Sequence, residues 1–165
     1  APAGTNVPAD ATGALSEGWE CVGYIGNDGI TQSLNIDKTE VKDAGGVTVL
    51  SEITGYAETY QFVMLELNKT SATVRYGSDV VKVEDNSMTI GHKMPSGESA
   101  AFVFEMVLTG NKVRRIVVPD ATPNDYGDTQ YPIGDAVAYD VTLAANPSDQ
   151  IDGETSREYI ATVEK

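Results

Sequence analysis

Side chains that usually carry out chemistry are scarce in this sequence. His92 is the single histidine and Cys21 the single cysteine among the 165 residues. A Ser-His-Asp triad needs a histidine that is held by a carboxylate and contacts a nucleophile, and no Gly-x-Ser-x-Gly sequence accompanies His92. One histidine and one cysteine also fall short of the three or four ligands of a zinc site. We therefore predict no enzymatic activity, no catalytic residue and no zinc, and we expect His92 to be structural or solvated.

The surroundings of Cys21 predict a structural side chain. Cys21 lies in the apolar run at residues 19–22, which indicates a small buried hydrophobe. Its neighbour Glu20 is acidic, whereas a reactive thiol needs a basic neighbour. A single cysteine also rules out an intrachain disulfide. Neither a P-loop nor a Gly-x-Gly-x-x-Gly sequence is present, so we predict no nucleotide cofactor.

Residues 119–135 are the one region that could hold a metal ion. Their oxygen-bearing side chains are Asp120, Asn124, Asp125, Asp128 and Asp135, with no basic residue among them. Calcium takes six to eight oxygen ligands, but the spacing matches no EF-hand. A polar surface loop rich in turn-forming residues explains the same composition. We favour the surface loop and keep calcium as the alternative.

The charge of the chain limits its partners. Asp and Glu total 25 against 11 Lys and Arg, which gives a formal net charge of −14. A surface this acidic repels phosphate backbones and anionic membranes. We therefore expect neither specific DNA binding nor membrane binding. No stretch approaches the ~20 apolar residues of a membrane span. The first residues have no basic start and no apolar core, so we predict no signal peptide and a cytoplasmic site of synthesis.

Most of the remaining sequence reads as short strands separated by turns. The predicted strands cover residues 19–25, 30–36, 47–53, 59–67, 80–84, 88–92, 100–108, 113–118, 135–144 and 157–163. Asp28-Gly29, Asp85-Asn86 and Gly110-Asn111 are the main turn signals. One helix is predicted at residues 68–76, capped by Asn68 and ended by Gly77. This pattern predicts a mainly β fold, a β-sandwich or small barrel with one short flanking helix.

Alternation of apolar and polar residues predicts which strand faces form the core. The expected inward side chains are Tyr60, Phe62, Met64, Phe102, Phe104, Met106, Leu108, Val137, Tyr139, Val141 and Leu143. Two segments lack this alternation. Residues 1–16 are rich in Ala, Gly, Pro and Thr and predict a flexible amino-terminal arm. Residues 37–46 are charged and end in a Gly pair, and they predict a mobile loop on a single β domain of residues 17–165.

Five blocks of the sequence resemble one family. They are residues 23–31, 37–46, 58–66, 74–79 and 157–160. In this order they resemble the turn, charged loop, strand, helix end and closing strand of major tail tube proteins from long-tailed, non-contractile bacteriophages. The resemblance covers residues 19–165.

The resemblance implies a β-sandwich with a flanking helix, whose copies form hexameric rings that stack into a hollow tail tube. It implies a virion protein that is assembled in the host cytoplasm and whose partners are itself, a tape-measure protein and other tail proteins. DNA is expected to pass through the lumen without specific binding. The loop would order between stacked rings. Its expected self-assembly residues are Asp37, Lys38, Glu40, Lys42, Asp43, Gly45 and Gly46.

A secreted β-sandwich module that binds carbohydrate or calcium is the alternative function. The missing signal peptide counts against secretion. Few aromatic side chains are left outside the predicted core to stack on a sugar. The tail tube is therefore the favoured hypothesis.

Overall fold

A computed structural model describes residues 1–163 and shows a mainly antiparallel β fold. The strands are β1 (Ile25–Lys42), β2 (Thr48–Met64), β3 (Val81–Glu84), β4 (Ser87–Ile90), β5 (Ala100–Leu108), β6 (Lys112–Asp125), β7 (Tyr139–Ala145) and β8 (Arg157–Thr162). One helix, α1 (Lys69–Tyr76), follows β2, and a short 3-10 helix lies at Asp149–Ile151. The prediction of a mainly β chain with one short helix is confirmed. Among the described residues, no helix is long and apolar enough to cross a membrane.

Strand β6 joins the two halves of the main sheet. The sheet order is β1-β2-β7-β6-β5, and β8 pairs with β6 beside this path. The first part of β6, residues 112–117, pairs with β8, and its last part, residues 121–125, pairs with β7. Strand β5 borders the opposite edge of β6 from Lys112 to Ala121. Strands β3 and β4 form a separate hairpin.

The core lies between two layers of strands. The rings of Tyr60 and Phe62 on β2 contact Phe104 on β5, at centroid distances of 5.3 and 5.6 Å. Because β2 and β5 are not neighbours in the sheet, this contact joins opposite layers, as in a β-sandwich. Within residues 1–163 the sheet stays open, with β1 and β5 as its end strands, so the fold is not a closed barrel.

The predicted inward faces are confirmed at the centre of the core. The buried residues of the cluster are Tyr60, Phe62, Met64, Phe102, Phe104, Ile116, Val118, Ala121, Tyr139, Val141, Leu143 and Ala145. Met106 and Val137 are partly buried and pack against this cluster, and Leu108 is half-buried. The alternation rule holds here because each strand has one face turned toward the opposite layer.

Helix α1 has the predicted ends. The Asn68 side chain accepts a hydrogen bond from the Ser71 amide at 2.9 Å, and the Ser71 hydroxyl oxygen accepts one from the Asn68 amide at 2.9 Å. This reciprocal capping box satisfies two amides that have no partner within the helix. The helix ends at Gly77, whose φ of +96° is unfavourable for other residues.

Strands β1 and β2 are much longer than predicted. Asp28-Gly29 does not end a strand but lies in an irregularity of β1, between the pairs that Ile25 and Ile30 make with β2. Gly29 has a φ of +71°, which suits such a bulge. The prediction of a loop at residues 37–46 is wrong for residues 37–42, which belong to β1 and pair with β2. A hairpin satisfies its backbone hydrogen bonds between its own two strands, so it needs no apolar pattern to form.

Two other predictions of local structure are also corrected. The segment at residues 19–24 is not a strand, and Cys21 is exposed rather than buried. Residues 119–125 continue β6, so only the remainder of the proposed acidic loop is irregular. In each case the strand partner, which the local sequence does not specify, decides where the strand runs.

The amino-terminal segment, residues 1–16, packs on β5 and β6. Its charged amino group donates to the Ala101 carbonyl at 2.9 Å, and Pro2 forms an isolated bridge with Ala100. The Arg115 guanidinium donates to two carbonyls of the same segment, at Asp10 (3.0 Å) and Gly13 (2.8 Å). These contacts place the segment on the body of the subunit, and its flexibility as an arm stays a prediction.

Candidate functional site: the hairpin arm

The ends of β1 and β2 extend beyond the rest of the sheet as a two-stranded ribbon. Strand β7 pairs with β2 only between Glu58 and Met64. On the hairpin side of Glu58, β2 has β1 as its single strand neighbour in the part of the chain that the structure describes. We call residues 35–57 the hairpin arm. The eight β1 residues in it span roughly 26 Å at ~3.3 Å per residue.

The hairpin arm has no buried residue. Every residue from 35 to 57 is exposed except Gly55, which is half-buried. Its exposed large apolar side chains are Ile36, Val41, Val47, Val49, Leu50, Ile53 and Tyr56. Two cross-strand pairs bring such side chains together, Ile36 with Tyr56 and Val41 with Leu50. An apolar surface of this kind on a folded chain marks a site of association.

The predicted self-assembly residues all lie on the arm, in two different settings. Asp37, Lys38, Glu40 and Lys42 lie along β1, and none of them forms an ion pair with another residue in the range 1–163. Asp43, Gly45 and Gly46 form the turn. The charges on the strand are therefore available to a partner.

The turn at the tip is held by one carboxylate. Asp43 Oδ1 accepts hydrogen bonds from the amides of Gly45 and Val47, both at 2.9 Å. Gly46 has a φ of +85°, which glycine adopts without strain. This geometry gives the arm a tight end in place of a long flexible loop.

Sequence reasoning missed the apolar side chains of the arm as functional residues. The alternation at residues 47–53 predicted a strand, and Val49 and Ile53 on one of its faces are 62% and 64% exposed. The prediction of a strand at residues 47–53 is confirmed, but no layer in the described part of the chain covers either of its faces. The signal that could have identified this hairpin was the charged stretch at residues 37–42, followed after the Gly pair by the apolar stretch at residues 47–56.

A buried carboxylate fixes the base of the arm. Glu58 is 2% exposed and accepts hydrogen bonds from Tyr60 Oη (2.7 Å), Gln32 Nε2 (2.6 Å) and Ser156 Oγ (2.9 Å). The Thr155 hydroxyl also donates to it. These partners come from β1, from β2 and from the segment before β8, so the network ties the arm to the body.

The same network sets the ionisation of its members. Burial by itself would raise the pKa of Glu58, but the hydrogen bonds from Thr155, Tyr60, Gln32 and Ser156 outweigh it and lower the pKa below its ordinary value of 4.5. Burial raises the pKa of the Tyr60 hydroxyl. The network therefore keeps Glu58 charged and Tyr60 neutral at pH 7.

Two arginines of the body are buried and have different partners. Arg115 on β6 pairs with Glu105, whose Oε1 lies 2.6 Å from Nη2. Arg75 at the end of α1 donates instead to backbone carbonyls, at Asp140 (2.6 Å) and Gly127 (2.8 Å). Its guanidinium carbon lies 5.6–5.9 Å from the ring centroids of Tyr76, Tyr126 and Tyr139.

The structure does not gather the acidic residues proposed for calcium. Asp120 and Asp125 lie on β6, whereas Asp128 and Asp135 lie in the irregular segment that follows. Asp120 accepts a hydrogen bond from Asn146 at 3.0 Å. Among residues 1–163, no three His, Cys, Asp or Glu side chains are placed to hold a metal ion.

A cavity on the body has a mostly apolar lining. It measures about 1080 Å³ and lies between the amino-terminal segment, α1 and β5. Its titratable lining side chains are Glu20, Cys21, Lys69, Glu98, Glu105 and Tyr126. His92 lies elsewhere and packs its ring against Tyr76, with centroids 5.0 Å apart. The one histidine and the one cysteine are therefore in separate places.

Comparison with known proteins agrees with an assembly role for this geometry. A family model described as phage tail tube protein matches residues 1–161, nearly the whole chain. A search of curated proteins finds no match.

Proposed function

The chain belongs to the phage tail tube protein family, and from that premise we propose that its copies form stacked hexameric rings around a DNA-conducting lumen. It is a structural protein of the phage tail. In the proposed assembly the rings enclose a tape-measure protein, contact other tail proteins and later let DNA pass. Assembly takes place in the host cytoplasm, and the subunit has no catalytic activity.

The observation that carries the proposal is the uncovered hairpin arm. A two-stranded hairpin alone in water is marginally stable, and this one also exposes seven large apolar side chains to solvent. Contact with another subunit would bury those side chains and order the ribbon. The free charges of Asp37, Lys38, Glu40 and Lys42 would pair with the next ring. Each exposed pair contributes only about 0–1 kcal/mol, but ring symmetry repeats every contact.

The open sheet supports ring formation. In residues 1–163, strands β1, β5 and β8 each have one strand neighbour, and the amino-terminal segment covers the outer edge of β5 only at Ala100 and Ala101. A strand with a free edge presents backbone groups that another chain can pair with. Val107 on β5 is 87% exposed. A contact between two different edges of identical subunits closes into a ring when the rotation allows it. The number six comes from the family resemblance.

The charge of the chain suits a conduit for DNA. A net charge of −14 disfavours adhesion of the phosphate backbone to the subunit. Together with the family match, the charge favours the tube over a secreted carbohydrate- or calcium-binding module.

Assembly by the arm can be tested with a double variant, Ile53→Ser with Tyr56→Ser. Both side chains are exposed, so the variant should keep the melting temperature of the parent but fail to form tubes. Negative-stain microscopy and sedimentation at rising protein concentration measure tube formation.

The matched control is Val83→Ser on β3, an apolar side chain that is 49% exposed on the body. It should assemble like the parent. Normal tubes from the double variant would remove the arm from the assembly contacts. A parent chain that stays monomeric at all concentrations, alone and with other tail proteins, would overturn the proposed function itself.

A further inference from the structure

A small cavity on the body concentrates positive charge. It measures about 150 Å³ and lies between α1, the segment after β4 and the segment after β6. Its lining residues are Arg75, Tyr76, His92, Lys93, Pro95 and Tyr126. We call it the basic pocket. Two of the 11 Lys and Arg residues and the single histidine meet here, with no acidic side chain in the lining.

Arg75 in this pocket is a buried cation that forms no ion pair among the described residues. Its exposed fraction is 9%. Both terminal nitrogens donate to backbone carbonyls, but Nε is buried and has no hydrogen-bond partner. A buried charge without an ion pair is costly, although carbonyl acceptors and tyrosine rings offset part of that cost here. A negative group in the pocket would offset more of the cost of this charge.

The rest of the pocket suits a carboxylate. A volume of about 150 Å³ equals roughly five water molecules at ~30 Å³ each, which is room for one acidic side chain. Lys93 lies at the rim with its side chain 58% exposed, and its Nζ is 2.5 Å from Asp79. The rings of Tyr76 and Tyr126 form the apolar walls. An entering carboxylate would face Arg75 at the wall and Lys93 at the entrance.

We propose that the basic pocket receives a side-chain carboxylate from a second copy of the chain, as a contact within the assembly proposed above. The inference rests on that self-assembly. Charge complementarity favours a second copy as the source of the carboxylate, because each chain carries 25 acidic residues and few cations. In a tube, neighbouring copies are also the protein surface present at the highest local concentration.

Charge reversal at the rim tests the proposal. Lys93→Glu should raise the protein concentration required for assembly about tenfold or more, because a like charge then faces the incoming carboxylate. The matched control is Lys82→Glu on β3, which makes the same change of net charge at another exposed lysine of the same hairpin region. It should assemble like the parent. Equal effects of the two reversals would show that overall charge, and not the basic pocket, is responsible.

Crosslinking gives a second readout that does not require reversal of a charge. A carbodiimide joins amines to carboxylates in direct contact, and Asp79→Asn removes the competing carboxylate of the same chain. Tubes of Asp79→Asn subunits are assembled from equal parts of ¹⁴N- and ¹⁵N-labelled protein. We expect a mixed-isotope link between Lys93 and an acidic residue of another copy, absent from unassembled subunits.

The outcomes distinguish failure of the basic-pocket contact from failure of the tail tube proposal. Tubes without any link between chains at Lys93 overturn the basic-pocket contact and leave the tail tube proposal intact. A subunit that never assembles overturns both. The pocket could instead bind a small anion. In that case acetate would shift the Arg75 Nε resonance of unassembled protein, and tubes would show no link between chains at Lys93. This result would also overturn the proposal.

Discussion

Strand β2 passes through two contrasting regions of the molecule. In the body, Tyr60, Phe62 and Met64 are at most 2% exposed, whereas in the hairpin arm Ile53 and Tyr56 are 64% and 54% exposed. Both stretches carry large apolar side chains on the same strand. The difference lies in their neighbours, because β7 flanks the body part and the opposite layer covers it, while the arm part has only β1.

The comparison separates two uses of an apolar strand. In the body, burial of these side chains stabilises the subunit itself. In the arm, the same kind of side chain stays exposed, apart from its cross-strand contacts, and remains available for association. Glu58 lies at the boundary between the two regions, where β7 begins to pair with β2. Substitutions in the body, at this boundary and in the arm should therefore change the free energy of unfolding by different amounts.

The largest difference is expected between two aromatic truncations on β2. Phe62→Ala should lower the free energy of unfolding by about 3–5 kcal/mol, because Phe62 is 2% exposed and its removal leaves a cavity. Tyr56→Ala, six residues earlier on the same strand, should change it by less than about 0.5 kcal/mol. Urea denaturation measures both. Similar losses in the two variants would mean that the arm is part of the cooperative core.

An intermediate effect is expected at the boundary. Glu58→Gln should lower the free energy of unfolding at pH 7 by about 1–3 kcal/mol, because an amide cannot accept all the buried hydrogen bonds that the carboxylate accepts. The lowered pKa of Glu58 in the folded state also predicts a pH dependence. Its stabilisation is fully present above the ordinary pKa of 4.5 and is lost as the pH falls through the lower folded-state pKa.

The control for this effect is the pH profile of the variant. The stability difference between parent and Glu58→Gln should be constant from pH 7 down to about 5 and shrink at lower pH. A difference that stays the same down to pH 2 would show that the loss comes from packing and not from the charge of Glu58.

The smallest effect on stability is expected from the charges of the arm. Replacing residues 37–42 with a Gly/Ser stretch should leave the free energy of unfolding of the body within about 0.5 kcal/mol of the parent, since these side chains are exposed and contact only the arm itself. The same variant should fail to form tubes in negative-stain images. Loss of the cooperative unfolding transition would show that the arm is needed for folding of the body.

Local sequence signals predicted much of the body. The caps of α1 were predicted from Asn68 and Gly77, and β5 was predicted with its observed bounds, Ala100–Leu108. The hairpin turn at Asp85-Asn86 was also predicted. These features succeed because capping, tight turns and the two-residue period depend on nearby residues.

The arm could be predicted only in part. Its position and its charged residues were identified, but residues 37–42 were assigned to a loop and the apolar side chains of residues 47–56 were not identified as functional. The charged stretch has weak strand propensity, and its pairing with β2 decides its conformation. The exposure of Cys21 was missed for a related reason, since residues 19–24 pair with no strand in the described chain.

The sequence by itself determined the fold class, the two-residue alternation of the strands, the helix and the acidic character of the chain, because composition, periodicity and turn chemistry act over a few residues. The tertiary structure alone decided which apolar faces are covered, how β6 joins the two layers, and where Arg75, His92 and Lys93 meet. Those outcomes depend on contacts between residues far apart in the chain. A two-residue alternation specifies that a strand has two faces, but only the packing of other strands decides which face meets water.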